Sequence, residues 1–333
     1  MPFATLPRRA TSPRTTSRRA TSRRATSPRV TSRRLTVLLP VLACAVLAAF
    51  TACAPEDSAT GGQAGATPSK QPKASGTTSP SPRGCAKGDL DLHAPGTLTV
   101  ATDQPAYEPW FADDNPSSGK GFESAVAYAV ARQLGFTASE VTWTRVRFNN
   151  AIQPGPKDFD FDINEFTITD QRKKAVDFSS SYYDATQAVV ALKSSPIANA
   201  KSVAGLKDAK LGAQVNTTSY DVINDVVQPA RQAQVFRSND DARQALANGS
   251  IDGLVVDLPT AFYMTAAQLE GATIVGQLEQ KSGTPEQFGL VLDKGSPLTA
   301  CVTRAVDALR DDGTLEELAK TWLADVAGAP VLN

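Results

Sequence analysis

From Gly96 onward the chain alternates short runs of β-forming residues with stretches of helical apolar spacing, and that alternation limits its fold more than any other feature. Leu98-Thr99-Val100-Ala101 reads as a strand. The segment 121–134 places Phe122, Val126, Val130 and Leu134 on one helical face, and Gly135 stops it. Residues 141–143 and 160–164 read as further strands. After a stretch rich in Lys, Ser and Pro the pattern restarts: strand 209–214, helix from about 219 to 227, strand 234–236, helix 238–247 and strand 253–256. A strand at 287–292 and helices at 297–311 and 314–326 complete it, the last starting at Thr314-Leu315-Glu316-Glu317. Strands separated by helices predict an α/β fold with parallel strands, and the two series read as two similar lobes without a long internal repeat.

The N-terminal quarter is of another kind. Residues 1–34 hold ten arginines and no acidic residue, with a stuttering Thr-Ser-Arg-Arg-Ala repeat that has nothing apolar to bury. They run into a charge-free apolar stretch, 35–50, preceded by Arg33 and Arg34, the order of a secretory signal. The stretch is shorter than the roughly 20 residues a membrane-spanning helix needs and contains Pro40, so export with cleavage is expected rather than permanent insertion. Phe50-Thr51-Ala52-Cys53 resembles a lipoprotein signal-peptidase box, which would make Cys53 the lipidated N-terminus; the alternative is free secretion. Residues 54–84, rich in Gly, Ser, Thr, Pro and Ala, read as a tether.

Charge argues against a nucleic-acid partner. The chain has 34 basic and 34 acidic residues, and with ten of the basic ones in the leader the exported part is 24 against 34, net about −10. Cys85 and Cys301, outside the cell, suggest a disulfide stapling both ends of the folded part; two buried free thiols are the alternative. The single histidine, His93, argues against a His-dependent nucleophilic triad or a His-rich metal site, and no metal or other cofactor is expected.

Three segments carry a resemblance. Residues 96–103 followed by Tyr107-Glu108-Pro109-Trp110, then Gly119-Lys120-Gly121-Phe122-Glu123, then the block from Thr167-Ile168-Thr169-Asp170 through Arg172 to Asp177-Phe178-Ser179 resemble, in order and spacing, the solute-binding proteins of polar amino acid ABC importers, family 3. The resemblance spans about 96–326 and implies the two-lobed periplasmic-binding-protein type II fold, each lobe a mainly parallel sheet flanked by helices. It also implies crossover strands near 183–187 and 277–283. The implied division is leader and signal 1–53, tether 54–84, first lobe 85–186 with 281–333, and second lobe 187–280.

The same resemblance implies an extracellular, lipid-anchored and monomeric binding protein that hands a polar amino acid to permease subunits. Arg172 would hold the α-carboxylate through its planar fork, and Asp257 the α-ammonium unless it only caps a helix. Thr167, Asn216 and Thr218 would supply hydroxyl and backbone contacts, and Tyr107 and Phe148 aromatic walls. Asp103 and Glu165 would read the ligand's side chain and favour a cation, unless Arg145 or Arg147 neutralises Glu165. A carboxylate-dependent dehydratase of the same fold, or a ligand sensor for a separate membrane partner, are the other readings.

Overall fold

The computed structural model describes residues 84–280, 283–323 and 328–333; the leader, the signal, Cys53 and the tether up to residue 83 lie outside the described residues. The strands run in chain order as β1 Leu98–Thr102, β2 Val141–Arg145, β3 Phe161–Asp162, β4 Val176–Ala185, β5 Gln187–Leu192, β6 Leu211–Gln214, β7 Gln234–Phe236, β8 Gly253–Asp257, β9 Ala272–Leu278 and β10 Glu286–Asp293. The helices are α1 Phe122–Gln133, α2 Phe148–Ala151, α3 Thr218–Val222, α4 Asn239–Ala247, α5 Leu258–Tyr263, α6 Thr299–Asp311 and α7 Thr314–Trp322.

Ten strands make two sheets of the same design, ordered β2-β1-β3-β10-β4 and β7-β6-β8-β5-β9. In each, the first three strands are parallel and the last two join by antiparallel pairing. Each sheet therefore has four strands running one way and a single reversed strand between them, β10 in the first and β5 in the second, the mainly parallel arrangement expected. The reason for the reversal is connectivity: β5 and β10 each arrive directly from the other sheet, so no helical crossover on their own sheet forces them parallel. Only Thr186 separates β4 from β5, and residues 279–285 separate β9 from β10, so the chain crosses twice between the lobes.

The α1 face matches its spacing: Phe122, Val126, Val130 and Leu134 are all buried against β1, β10 and α6. Burying each such side chain contributes about 2 kcal/mol. Gly121, at φ 94°, has no room for a side chain, since a Cβ there would lie 2.6 Å from the Phe111 Cα. Phe148, Phe159 and Phe166 fill the opposite face of the first sheet. The second sheet is covered on both faces by its own apolar clusters.

One boundary differs from the implied division. Residues 328–333 pack on the second lobe, not the first: Val331 bridges Gln277, the Gln277 N–H donates to the Pro330 carbonyl (2.7 Å), and Leu332 is buried in that lobe's core. Gly276 makes the space, because any Cβ there would run into Leu332. Cys85 and Cys301 are joined as a disulfide with Cα atoms 5.5 Å apart, inside the core shared by α1 and α6.

Candidate functional site

In an open α/β sheet, ligands bind beyond the carboxyl ends of the parallel strands. Here all six such ends face one cavity of about 430 Å³. Asp103 follows β1, Phe148 follows β2 and Glu165 follows β3; Gln214 ends β6, Asn239 follows β7 and Asp257 ends β8. Tyr107, Thr167, Arg172 and Thr218 complete the side chains expected there, so eight of the nine residues implied as ligand contacts line this cavity. Asn216 does not. It lines a neighbouring cavity of about 870 Å³ on the far side of Arg172. There its backbone is left-handed (φ 62°), a conformation Asn tolerates where Gly is the usual choice. Its carbonyl accepts from Arg172 Nη2 at 3.0 Å and its amide donates to Asn149 Oδ1 at 3.0 Å.

Among the described residues Arg172 is the only basic one on the cavity wall. It is 8% exposed, donates from Nη1 to the Thr167 carbonyl (2.7 Å), and its guanidinium carbon lies 5.4 Å from the centroid of Phe148. Phe148 in turn stacks on Phe166 at 4.7 Å, so that ring is both wall and support. Burial lowers the Arg172 pKa, while Glu286, Asp221 and Asp257 oppose the shift. Tyr107 is pushed up by burial and then by the charge of Asp240 at the start of α4, and its buried hydroxyl has no hydrogen-bond partner among the described residues.

The acidic side of the cavity has an inner layer. Glu165 and Asp257 are in hydrogen-bonding contact through their side chains, and Glu123 Oε1 accepts the Glu165 N–H at 2.6 Å and the Tyr182 hydroxyl. Glu123 is fully buried and its Oε2 has no partner. Burial, then Asp257 and Glu123, raises Glu165 well above the carboxylate range; burial and Glu286 raise Asp257 to about 7; burial raises Glu123 to about 8. Arg145 offers Glu165 no neutralisation: its guanidinium pairs with Asp114 at 2.8 Å and donates to the carbonyls of Asp103 and Asp114. Arg147 is exposed. The Asp103 carboxylate is tied back by the N–H groups of Gln104 (2.6 Å) and Phe148 (3.1 Å).

Hydrogen bonds close the cleft from both lobes. Trp110 Nε1 donates to Thr260 Oγ1 at 2.8 Å, and Thr260 donates on to Glu165 Oε2 at 3.1 Å. The Thr167 and Thr218 hydroxyls meet at 3.1 Å. Gln187, the first residue of β5, donates to Asp257 Oδ1 (2.7 Å) and accepts from Ser219. Sequence reasoning gave no role to Glu123, Trp110, Gln187, Thr260 or Glu286. The signal for Gln187 and Glu286 is positional, since each starts the strand that follows a crossing.

The family model for bacterial extracellular solute-binding proteins, family 3, matches residues 98–325. The chain is 30% identical over 222 residues to an ABC transporter glutamine-binding protein of Bacillus subtilis, covering 65% of this chain and 77% of that protein. It is 27% identical over 257 residues to an L-arginine-binding protein of Pseudomonas aeruginosa, covering 73% and 97%. Among solved structures, an ancestral arginine-binding protein bound to glutamine superposes with a TM-score of 0.57 at 31% identity, covering 69% of this chain and 99% of that one. The same ancestral protein bound to arginine gives 0.57 at 30%, with the same coverage.

Proposed function

Because the chain belongs to the bacterial extracellular solute-binding proteins of family 3, we propose that it captures a cationic amino acid, arginine or lysine, and delivers it to an ABC importer. The observation that carries the choice of ligand is the state of Glu165. Its carboxyl reaches the cavity wall, the arginine that could have neutralised it is engaged by Asp114, and Arg172 is the only cation in the lining. A cationic side chain favours the ionised form of Glu165 beside Asp257, whereas a neutral one offers that carboxyl no counter-charge.

In this reading Arg172 holds the α-carboxylate, with Phe148 beneath its guanidinium and the backbone at the start of α3 around Thr218 adding donors. Asp257 and the Thr167 hydroxyl receive the α-ammonium, Tyr107 packs on the ligand, and Glu165 with Asp103 receives the side-chain cation. Asn216 acts from behind, fixing Arg172 through its carbonyl. Nothing in this arrangement needs a cofactor. Cys53, lipidated, would hold the protein on the outer face of the cell membrane beside its permease, with residues 54–84 as tether.

Thermal unfolding with each of the twenty amino acids at about 1 mM tests the reading. A ligand bound with micromolar affinity stabilises by roughly 4 kcal/mol, a shift on the order of 10 °C for a protein of this size. Arginine or lysine is expected to give it, and Arg172→Ala to abolish it. A shift for glutamine or glutamate alone would remove the cationic assignment, and no shift with any amino acid would remove the capture reading.

A further inference from the structure

Glu286 is the first residue of β10, where the chain re-enters the first sheet, and it is 7% exposed. Its Oε2 accepts from Thr218 Oγ1 at 2.6 Å, Thr167 Oγ1 at 3.1 Å and Gln187 Nε2 at 3.2 Å; its Oε1 accepts from Gln280 Nε2 at 2.7 Å. These four donors come from different places. Thr167 belongs to the first lobe and Thr218 to the second, while Gln187 and Gln280 lie on the two crossings. Glu286 itself does not line the cavity. Its influence on the cavity must pass through the two threonines, which do line it.

A carboxylate only accepts. Thr218, at 2.6 Å, gives its proton to Glu286, and Thr167 gives its own either to Glu286 or to Thr218, both 3.1 Å away. In either case both hydroxyl protons are engaged within this cluster, and both oxygens keep lone pairs for the cavity. Resting on the reading of the cavity as an amino acid site, we propose that Glu286 is a positioning residue: it fixes Thr167 and Thr218 as acceptors, so that the part of the ligand facing them must be a donor, the α-ammonium. The cavity is thereby polarised, with the Arg172 guanidinium facing the α-carboxylate and the hydroxyl pair with Asp257 facing the ammonium. Because the two threonines come from opposite lobes, the same carboxylate completes this acceptor pair only when the lobes are together.

The test compares L-arginine with 5-guanidinopentanoate, which lacks only the α-amino group, by calorimetric titration of the purified protein. A site whose buried acceptors are left unpaired rejects such an analogue strongly, here by at least ~100-fold. Glu286→Gln keeps the shape but supplies an amide donor that turns a hydroxyl proton toward the ligand. The preference for arginine is expected to fall at least ~10-fold, the loss typical of one charge-assisted hydrogen bond. Thr218→Val, which removes one of the two acceptors together with its hydrogen bond to Glu286 but leaves the carboxylate and Thr167 in place, is expected to lower the same ratio and serves if the first variant does not fold. A lower melting temperature with an unchanged ratio in both variants overturns the proposal, because a purely structural Glu286 would destabilise without changing selectivity. Should the unaltered protein bind glutamine but not arginine, the same ratio is read with glutamine and 4-carbamoylbutanoate, which separates a failed cationic assignment from a failed role for Glu286. If lysine is the amino acid bound, the ratio is read with lysine and 6-aminohexanoate, and binding of none of the three amino acids overturns both.

Discussion

Glu165 and Asp257 touch through their carboxyl groups, and two carboxylates that close do not both ionise. In the free protein the pair holds a proton; a bound ammonium or guanidinium favours the ionised form, so capture should expel it. With Asp257 at about 7, arginine affinity is expected to weaken as pH falls below 7, by up to about tenfold per unit for one linked proton. Titration calorimetry in buffers of different ionisation enthalpy reads the proton directly, and equal heats in phosphate and Tris would sink this account. Stability moves the other way. Glu123 is raised from an ordinary 4.5 to about 8, so the folded state holds its proton more tightly than the unfolded chain does. The contribution is complete below about 4.5 and lost as pH rises through about 8, so the melting temperature of the free protein should fall between pH 6 and 9 and fall less in Glu123→Gln. That Arg172 and Asp257 would line one cavity was legible in the sequence, because a resemblance carried them. The contacts of Glu123 and Glu286 were not, because their partners lie 42 and 119 residues away in the chain.

Elements were legible where packing repeats at short range. The α1 spacing and the strand at β1 follow from which residues face the core, and both are present with ends within two residues of expectation. β5 is different: after Gln187 its residues 188–192 are a continuous apolar run buried on both faces, without the alternation that marks a half-buried strand. The direction of β5, like that of β10, depends on the crossing that precedes it rather than on anything local. The loop before α1 shows how a small element controls the site. Gly121 brings its backbone against Trp110 and Phe111, and thereby sets Trp110 Nε1 toward Thr260 and Glu123 toward Glu165. Gly121→Ala adds a Cβ where none fits, at a φ that L-residues avoid, and is expected to cost about 2 kcal/mol or more in urea unfolding. It should also weaken arginine binding, whereas a loss of stability with unchanged affinity would mean that the Trp110 and Glu123 contacts survive without this approach.

At the scale of the whole molecule the two lobes share the chain unequally. The first takes its strands from both ends of the described sequence and the second from the middle, except that residues 328–333 return to the second. The final segment was not assigned to that lobe from sequence, because the Leu332 site exists only once Gly276 leaves room for it. The Cys85–Cys301 disulfide closes the first lobe over a separation of 216 residues, so most of the chain, including all of the second lobe's sheet, lies within the loop it spans. On the chain-entropy account such a closure stabilises by about 5 kcal/mol, acting on the unfolded ensemble rather than on the site. Both cysteines pack in the core between α1 and α6, and neither lines the cavity. The double variant Cys85→Ser/Cys301→Ser is therefore expected to melt on the order of 10 °C lower while keeping its arginine dissociation constant within about twofold. If affinity fell together with stability, the disulfide would have to hold the cavity-lining residues of the first lobe in place as well, and the separation between a stapled scaffold and an independently organised cleft would be lost.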